Sequence, residues 1–187
     1  MPALLTYIYS TTPDPTGAYY AINFADPTDS PGGGSFDLGD VAFPGDNPGD
    51  DNNFAIDAYG QVYIPSDGDY TFGTDSDDNV EVFIDGTSVL SGDCCGQEFG
   101  SVNLSKGLHD LRLIFYENGG GADVELFAAM GIHSSFDTGQ FELVGDIANG
   151  RLALTAPVPE PTTIAIWSLL GLVGAAFAIR ARRKNSN

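Results

Sequence analysis

Five stretches of this chain alternate polar and apolar residues with period two: 60–64, 69–72, 79–84, 108–116 and 122–127. Period two places successive side chains on opposite faces of an extended backbone, so each stretch suits a strand with one wet and one apolar face. Between them stand Pro65-Ser66-Asp67-Gly68, Asp85-Gly86, Ser105-Lys106-Gly107 and Asn118-Gly119-Gly120-Gly121, all strong turn signals. Short strands separated by tight turns predict an all-β fold, an antiparallel β-sandwich. Asp outnumbers Glu by 20 to 6, which fits turns better than helices. Further strands are expected near Leu4–Tyr9 and Ala18–Phe24, with long loops across Thr12–Asn53, where the PGGGS and PGDNPGDD clusters lie. The segment 141–154 reads as a last strand and linker.

Charge narrows the range of partners. The 187 residues carry 26 acids and 7 bases, a formal charge of −19. Arg180, Arg182, Arg183 and Lys184 crowd the last eight positions, leaving Lys106 and Arg112 against 25 acids over residues 1–150. Phosphate backbones are bound mainly through Lys and Arg, so a body this acidic excludes nucleic acid as a partner. It suits solvent or a divalent cation.

From Thr162 to Ile179 no charge interrupts 18 residues. As a helix this run is about 27 Å long, close to one hydrocarbon thickness, and a single transmembrane helix over 162–179 is expected. The basic cluster that follows should stay cytoplasmic, placing the acidic body on the other side of the membrane. Pro159-Glu160-Pro161, the apolar run and the Arg-rich end occur in that order within residues 157–187. Together they resemble the PEP-CTERM sorting signal of Gram-negative bacteria. The resemblance implies export across the inner membrane, recognition by an exosortase, cleavage near Pro159-Glu160-Pro161, transient anchoring in the inner membrane, and delivery to the cell surface or extracellular matrix. Met1–Leu5 has neither the basic start nor the apolar core of a secretory leader, so either the true start is expected upstream or the sequence is a fragment.

The body also resembles a known module. Residues 53–86, NFAIDAYGQVYIPSDGDYTFGTDSDDNVEVFIDG, and 103–127, NLSKGLHDLRLIFYENGGGADVELF, are similar to the protective-antigen module, a β-sandwich of bacterial toxins, glycosidases and yeast adhesins. The shared features are the Gly-x-Tyr-x-Phe strand entry, an aspartate pair before a Val-x-Val-x-Ile-Asp-Gly strand, the turn into Leu108, and a strand leading into Asn-Gly-Gly. The resemblance implies domains at 1–130 for the sandwich, 131–156 for a final strand and linker, and 157–187 for the sorting signal.

In the carbohydrate-binding members of that family an aspartate pair joined by a cis peptide faces one Ca²⁺. A later Asn and backbone carbonyls complete the protein ligands, and sugar hydroxyls fill the open positions. Carried over, this implies Asp77, Asp78 and Asn118 as metal and glycan ligands, with the carbonyls of Gly120 and Ala122. Oxygen-only donors suit Ca²⁺, which takes six to eight of them. Read from the residues alone, Asp77-Asp78 also fits a solvated turn with an Asx hydrogen bond. An EF-hand starting at Asp75 fails, because Val80 stands where Gly is needed and Gly86 where Glu is needed. The second loop lacks the aromatic that often walls a sugar, which leaves Phe99 or Tyr116 to supply a ring.

Two cysteines are present, Cys94 and Cys95, too few with the separated His109 and His133 for a zinc site. In an exported protein they are expected to oxidise, to a vicinal bridge or to cross-links with another chain. A vicinal disulfide stiffening a loop beside the calcium site is the expected form. Neither histidine has a nucleophile context, and the chain is expected not to be an enzyme. The expected function is that of an exported, calcium-dependent carbohydrate-binding module. The alternative is a structural spacer of the envelope or matrix in which calcium only stabilises.

Overall fold

The computed structural model describes residues 19–26, 33–36, 41–44, 52–145 and 154–155. The expected strand at Leu4–Tyr9, the membrane helix at 162–179 and the Pro159-Glu160-Pro161 motif lie outside the described residues. The chain divides into two compact units, Met1–Ala156 and Pro157–Asn187, and all described residues belong to the first. Among them no helix is long and apolar enough to cross a membrane.

Ten strands are described: β1 Asn23–Ala25, β2 Phe54–Ile64, β3 Gly68–Asp77, β4 Asn79–Ile84, β5 Thr87–Gly92, β6 Gly96–Leu104, β7 Gly107–Glu117, β8 Asp123–Met130, β9 Glu142–Leu143 and β10 Leu154–Thr155. They form two antiparallel sheets. One has the order β1-β8-β3-β6 with β9 on β8, and the other β10-β2-β7-β4-β5. The all-β antiparallel fold expected from the alternation is the fold observed. β4 coincides with the alternating run 79–84, while β2, β3 and β7 extend past theirs.

Apolar residues from both sheets meet in one core. Phe72, Val124 and Leu126 of the first sheet pack with Val62, Val82, Leu113 and Phe115 of the second, all fully buried. Phe43 is stacked on Phe115 with centroids 5.6 Å apart and contacts Phe24 at 5.7 Å, which ties part of the loop-rich N-terminal region to this core.

β8 departs from the one-wet-face expectation for 122–127. Every residue from Asp123 to Ala129 is buried. It is an inner strand of its sheet, and its second face is covered: Phe127 and Ala129 join Phe141 in a separate apolar cluster with Phe36, Phe99 and Phe136 packed on it. Glu125 is buried on that face because the backbone N–H groups of Ser35 and Phe36 donate to its carboxylate at 2.6 and 3.0 Å. Gly34 permits this approach, since a Cβ there would lie 2.4 Å from Glu125 Cδ and φ is +93°. Residues 33–36, the described end of a stretch that reads as loop, are thus a cradle for a buried carboxylate.

The connections position the site. β3 passes to β4, β5 to β6 and β7 to β8, and each step crosses from one sheet to the other. The register puts these crossings at one end of the sandwich: Ser76 pairs with Gly96, Asp77 with Asp123, Asn79 with Tyr116, and Val80 with Gly92.

Candidate functional site

Three inter-sheet crossings therefore converge: Asp77-Asp78, the Asp93–Cys95 loop and Asn118–Ala122. The Asp77-Asp78 peptide bond is cis. The Asn118 backbone N–H donates to Asp78 Oδ2 at 2.8 Å, which joins the first crossing to the third. Asn52 steadies the third crossing from outside, its Oδ1 accepting the Gly120 N–H at 3.0 Å. Gly120 has φ +121°, a conformation that side chains other than hydrogen strongly disfavour. The second crossing is held by the Asn79 side-chain amide, which donates to the Asp93 carbonyl.

Cys94 and Cys95 are disulfide-bonded to each other, and their sulfurs lie against the aspartate pair. Cys95 Sγ is 3.2 Å from Asp77 Oδ1, and Cys94 Sγ is 3.6 Å from Asp78 Oδ1. Disulfide sulfur carries no hydrogen, so these are contacts and not hydrogen bonds.

Beneath the pair sits Glu117, fully buried, with neither carboxylate oxygen hydrogen-bonded. Burial pushes its pKa up to about 7, and the negative charges of Asp78 and Asp77 add to the rise. The backbone N–H groups of Gly119 and Asp78 offset this in part, without closing a hydrogen bond of normal geometry. Asp77 is also raised, first by burial and then by the charge of Asp78. Three carboxyl groups thus crowd one end of the sandwich, and among the described residues no Lys or Arg pairs with any of them. A buried carboxylate behind two acidic side chains makes a negative cluster whose repulsion a divalent cation held by the aspartates would relieve.

The sequence-predicted residues fall here unequally. Asp77, Asp78 and Asn118 come together. Gly120 belongs to the same exposed loop, while Ala122 is fully buried and its carbonyl accepts the Asp26 N–H at 2.8 Å, using one of two lone pairs. Phe99 packs with Phe141 and Phe127, centroids 5.7 and 6.1 Å apart, in the cluster outside the first sheet. Tyr116 pairs with Asn79 but projects from the face of its sheet opposite Phe115 and Glu117. Sequence reasoning missed Glu117 and Asn52. Glu117 was signalled by its phase: it continues the inward series Leu111, Leu113, Phe115.

The PEP-CTERM protein-sorting motif matches residues 157–184, and marks the chain for export across the inner membrane to the cell surface or extracellular matrix. The PA14 domain matches residues 11–132. Among solved structures, an anti-sigma factor domain-containing protein from Clostridium clariflavum aligns with 80% of this chain and 44% of its own, at 19% identity and a TM-score of 0.56. A PA14 sugar-binding domain from an RTX adhesin aligns over 78% of this chain and 83% of its own, at 16% identity and a TM-score of 0.53. These likenesses concern the fold, and the chain spans less than half of the clostridial protein. No curated protein sequence matches the chain. With a match running over well more than half of its length, and a two-sheet sandwich whose crossings gather around Asp77-Asp78, the chain belongs to the PA14 domain family.

Proposed function

We propose that this chain is a calcium-dependent carbohydrate-binding module, adhesin-like and non-catalytic, displayed by exosortase-dependent sorting. The observation that carries the reading is the Asp77-Asp78 pair, set side by side at the meeting of three loops with the unpartnered Glu117 behind it. Asp77, Asp78 and the Asn118 side chain would hold Ca²⁺, with the Gly120 carbonyl and the remaining lone pair of Ala122 O available to it. Ca²⁺ takes six to eight oxygens, so a site with so few protein donors keeps positions open for paired hydroxyls. The bound ion supplies the charge that orients those hydroxyls. The glycan is then held by a hard ion fixed to the strand ends, beside the exposed 118–120 loop. The sugar-binding RTX adhesin domain shares this fold, which supports a glycan as the ligand.

The experiment is thermal unfolding of the full chain in detergent, with Ca²⁺ or EDTA, beside Asp78→Asn, followed by a glycan array in both conditions. Calcium at about 100 times its dissociation constant should add about 2.7 kcal/mol, a rise of roughly 5–10 °C. Asp78→Asn should remove the rise, and EDTA should remove array signal. A second reading has one observation behind it: the loop 118–121 presents three glycines and no apolar wall. A calcium-induced rise without array signal in any condition would favour a structural spacer stabilised by the ion.

A further inference from the structure

The carboxylates of Asp77 and Asp78 face a second pair of donors that an oxygen-bound ion leaves unused. One atom from each of Asp77, Asp78, Cys94 and Cys95 lies within 4.8 Å of all the others, and both cysteines are exposed. The sulfur to oxygen separations are 3.2, 3.6 and 4.0 Å. In a tetrahedral zinc site, with Zn–S about 2.3 Å and Zn–O about 2.0 Å, adjacent sulfur and oxygen ligands stand about 3.5 Å apart. The observed separations are those of the oxidised loop, where the sulfurs are bonded to each other; two thiolates on one zinc stand about 3.8 Å apart, so on reduction the sulfurs must swing apart while each keeps its carboxylate neighbour. The loop is anchored on both sides, through Val80–Gly92 and Ser76–Gly96 pairing and through the Asn79 amide on the Asp93 carbonyl. Opening the disulfide therefore frees the sulfurs without releasing the strands that carry them.

We propose that the Cys94–Cys95 disulfide selects which class of metal the Asp77-Asp78 site holds. Oxidised, the site offers oxygen ligands and takes Ca²⁺. Reduced, it offers two thiolates and two carboxylates and takes Zn²⁺ or another thiophilic divalent ion, because soft donors change the preferred metal. The calcium half rests on the function proposed above, whereas the zinc half stands on the juxtaposition of two cysteine sulfurs with two carboxylates. The reductant is a dithiol: it gives two electrons and two protons, closes to its own cyclic disulfide, and leaves two cysteine thiols. Metal binding then displaces both protons as the thiolates form. A four-coordinate centre filled by protein ligands has no open position for hydroxyls, so reduction in the presence of zinc shuts the glycan site.

The test uses the full chain in detergent, reduced with dithiothreitol, desalted without oxygen, and titrated with Cd²⁺ as the spectroscopic probe. The reduced protein should bind one Cd²⁺ per chain with the ultraviolet charge-transfer band of cadmium thiolate. Zn²⁺ should displace it and a large excess of Ca²⁺ should not. The oxidised protein and the Cys94→Ser, Cys95→Ser double variant should show no band. Asp77→Asn with Asp78→Asn should keep the cysteines and lower Cd²⁺ affinity at least tenfold, with circular dichroism confirming the fold. Absence of the band in the reduced chain, or affinity unchanged in the aspartate variant, overturns the proposal. The calcium-induced rise in the oxidised chain is read separately, so loss of that rise overturns the calcium reading and leaves the cadmium result to stand on its own.

Discussion

The Asn118 backbone N–H donates to Asp78 Oδ2 at 2.8 Å, a bond between two crossings that leave different strands of the sandwich. It separates what the Asn118 side chain does from what its backbone does. Asn118→Ala keeps the N–H, so unfolding in EDTA should be nearly unchanged while calcium affinity falls about tenfold, the loss of one oxygen ligand at about 1.4 kcal/mol. Asp78→Ala removes the acceptor as well and should cost about 1–3 kcal/mol even without calcium, as bonds to charged groups do. Calorimetric calcium titration beside denaturant unfolding distinguishes the two. Equal loss of calcium-free stability in both variants would mean the side chain, not the latch, holds the loop.

Glu117 sits fully buried beside two other carboxylates with neither oxygen hydrogen-bonded, so its charge opposes folding until a cation arrives. Glu117→Gln keeps the shape and removes the charge. Its unfolding midpoint in EDTA at about pH 8, where the carboxylate is ionised in the unfolded chain, is expected to lie above that of the parent. The gain on adding calcium should shrink, since less repulsion remains to be relieved. A lower midpoint in EDTA would show that Glu117 is stabilising as it stands.

The strands were legible wherever one face is apolar and the other wet, as in β4, where Val80, Val82 and Ile84 are buried in alternation. The expectation faltered where burial is set by something other than the strand itself. β8 is buried on both faces because Phe36 and Phe99, distant in sequence, and Phe136 and Phe141, from the non-alternating segment after it, cover its outer side. β5 and β6 are edge strands rich in Ser and Gly, and carry little periodic apolar signal. Asp77, Asp78 and Asn118 could be named from motif residues. Their convergence with Cys94 and Cys95 depends on which sheet each strand joins, and short-range pattern does not encode that.

His109 carries the pH dependence that lies away from the site. Burial disfavours its charged form, but Asp85 Oδ2 at 2.6 Å, the Ser105 carbonyl at 2.8 Å, and the charges of Asp85 and Asp110 outweigh it, so the pKa is raised. A histidine whose folded pKa exceeds its unfolded value of about 6.5 adds stability that is full below that value. The contribution disappears as pH rises through the folded pKa. Asp85→Asn keeps an acceptor for the Asp110 N–H, which Asp85 Oδ1 takes at 2.9 Å, and removes the charge. Its urea unfolding free energy should drop relative to the parent at about pH 6 and converge toward it at about pH 8. An NMR titration should show the His109 pKa lower in the variant; an unchanged pKa would dissociate the pair.

Gly34 and Gly86 both have positive φ, +93° and +75°, but only Gly34 faces a neighbour. A Cβ at Gly86 meets nothing within 4 Å, whereas at Gly34 it would stand 2.4 Å from Glu125 Cδ. Gly86→Ala should therefore cost about 1 kcal/mol, the backbone penalty alone. Gly34→Ala must also push the 33–36 segment away from Glu125, breaking the Ser35 and Phe36 N–H bonds to its carboxylate. A buried carboxylate that loses such donors destabilises by several times more, about 3 kcal/mol and roughly 10 °C in the unfolding midpoint. Thermal unfolding of the two variants side by side isolates the worth of the Glu125 cradle. Equal shifts would mean that the N-terminal segment can yield at Gly34 without losing its hold on β8.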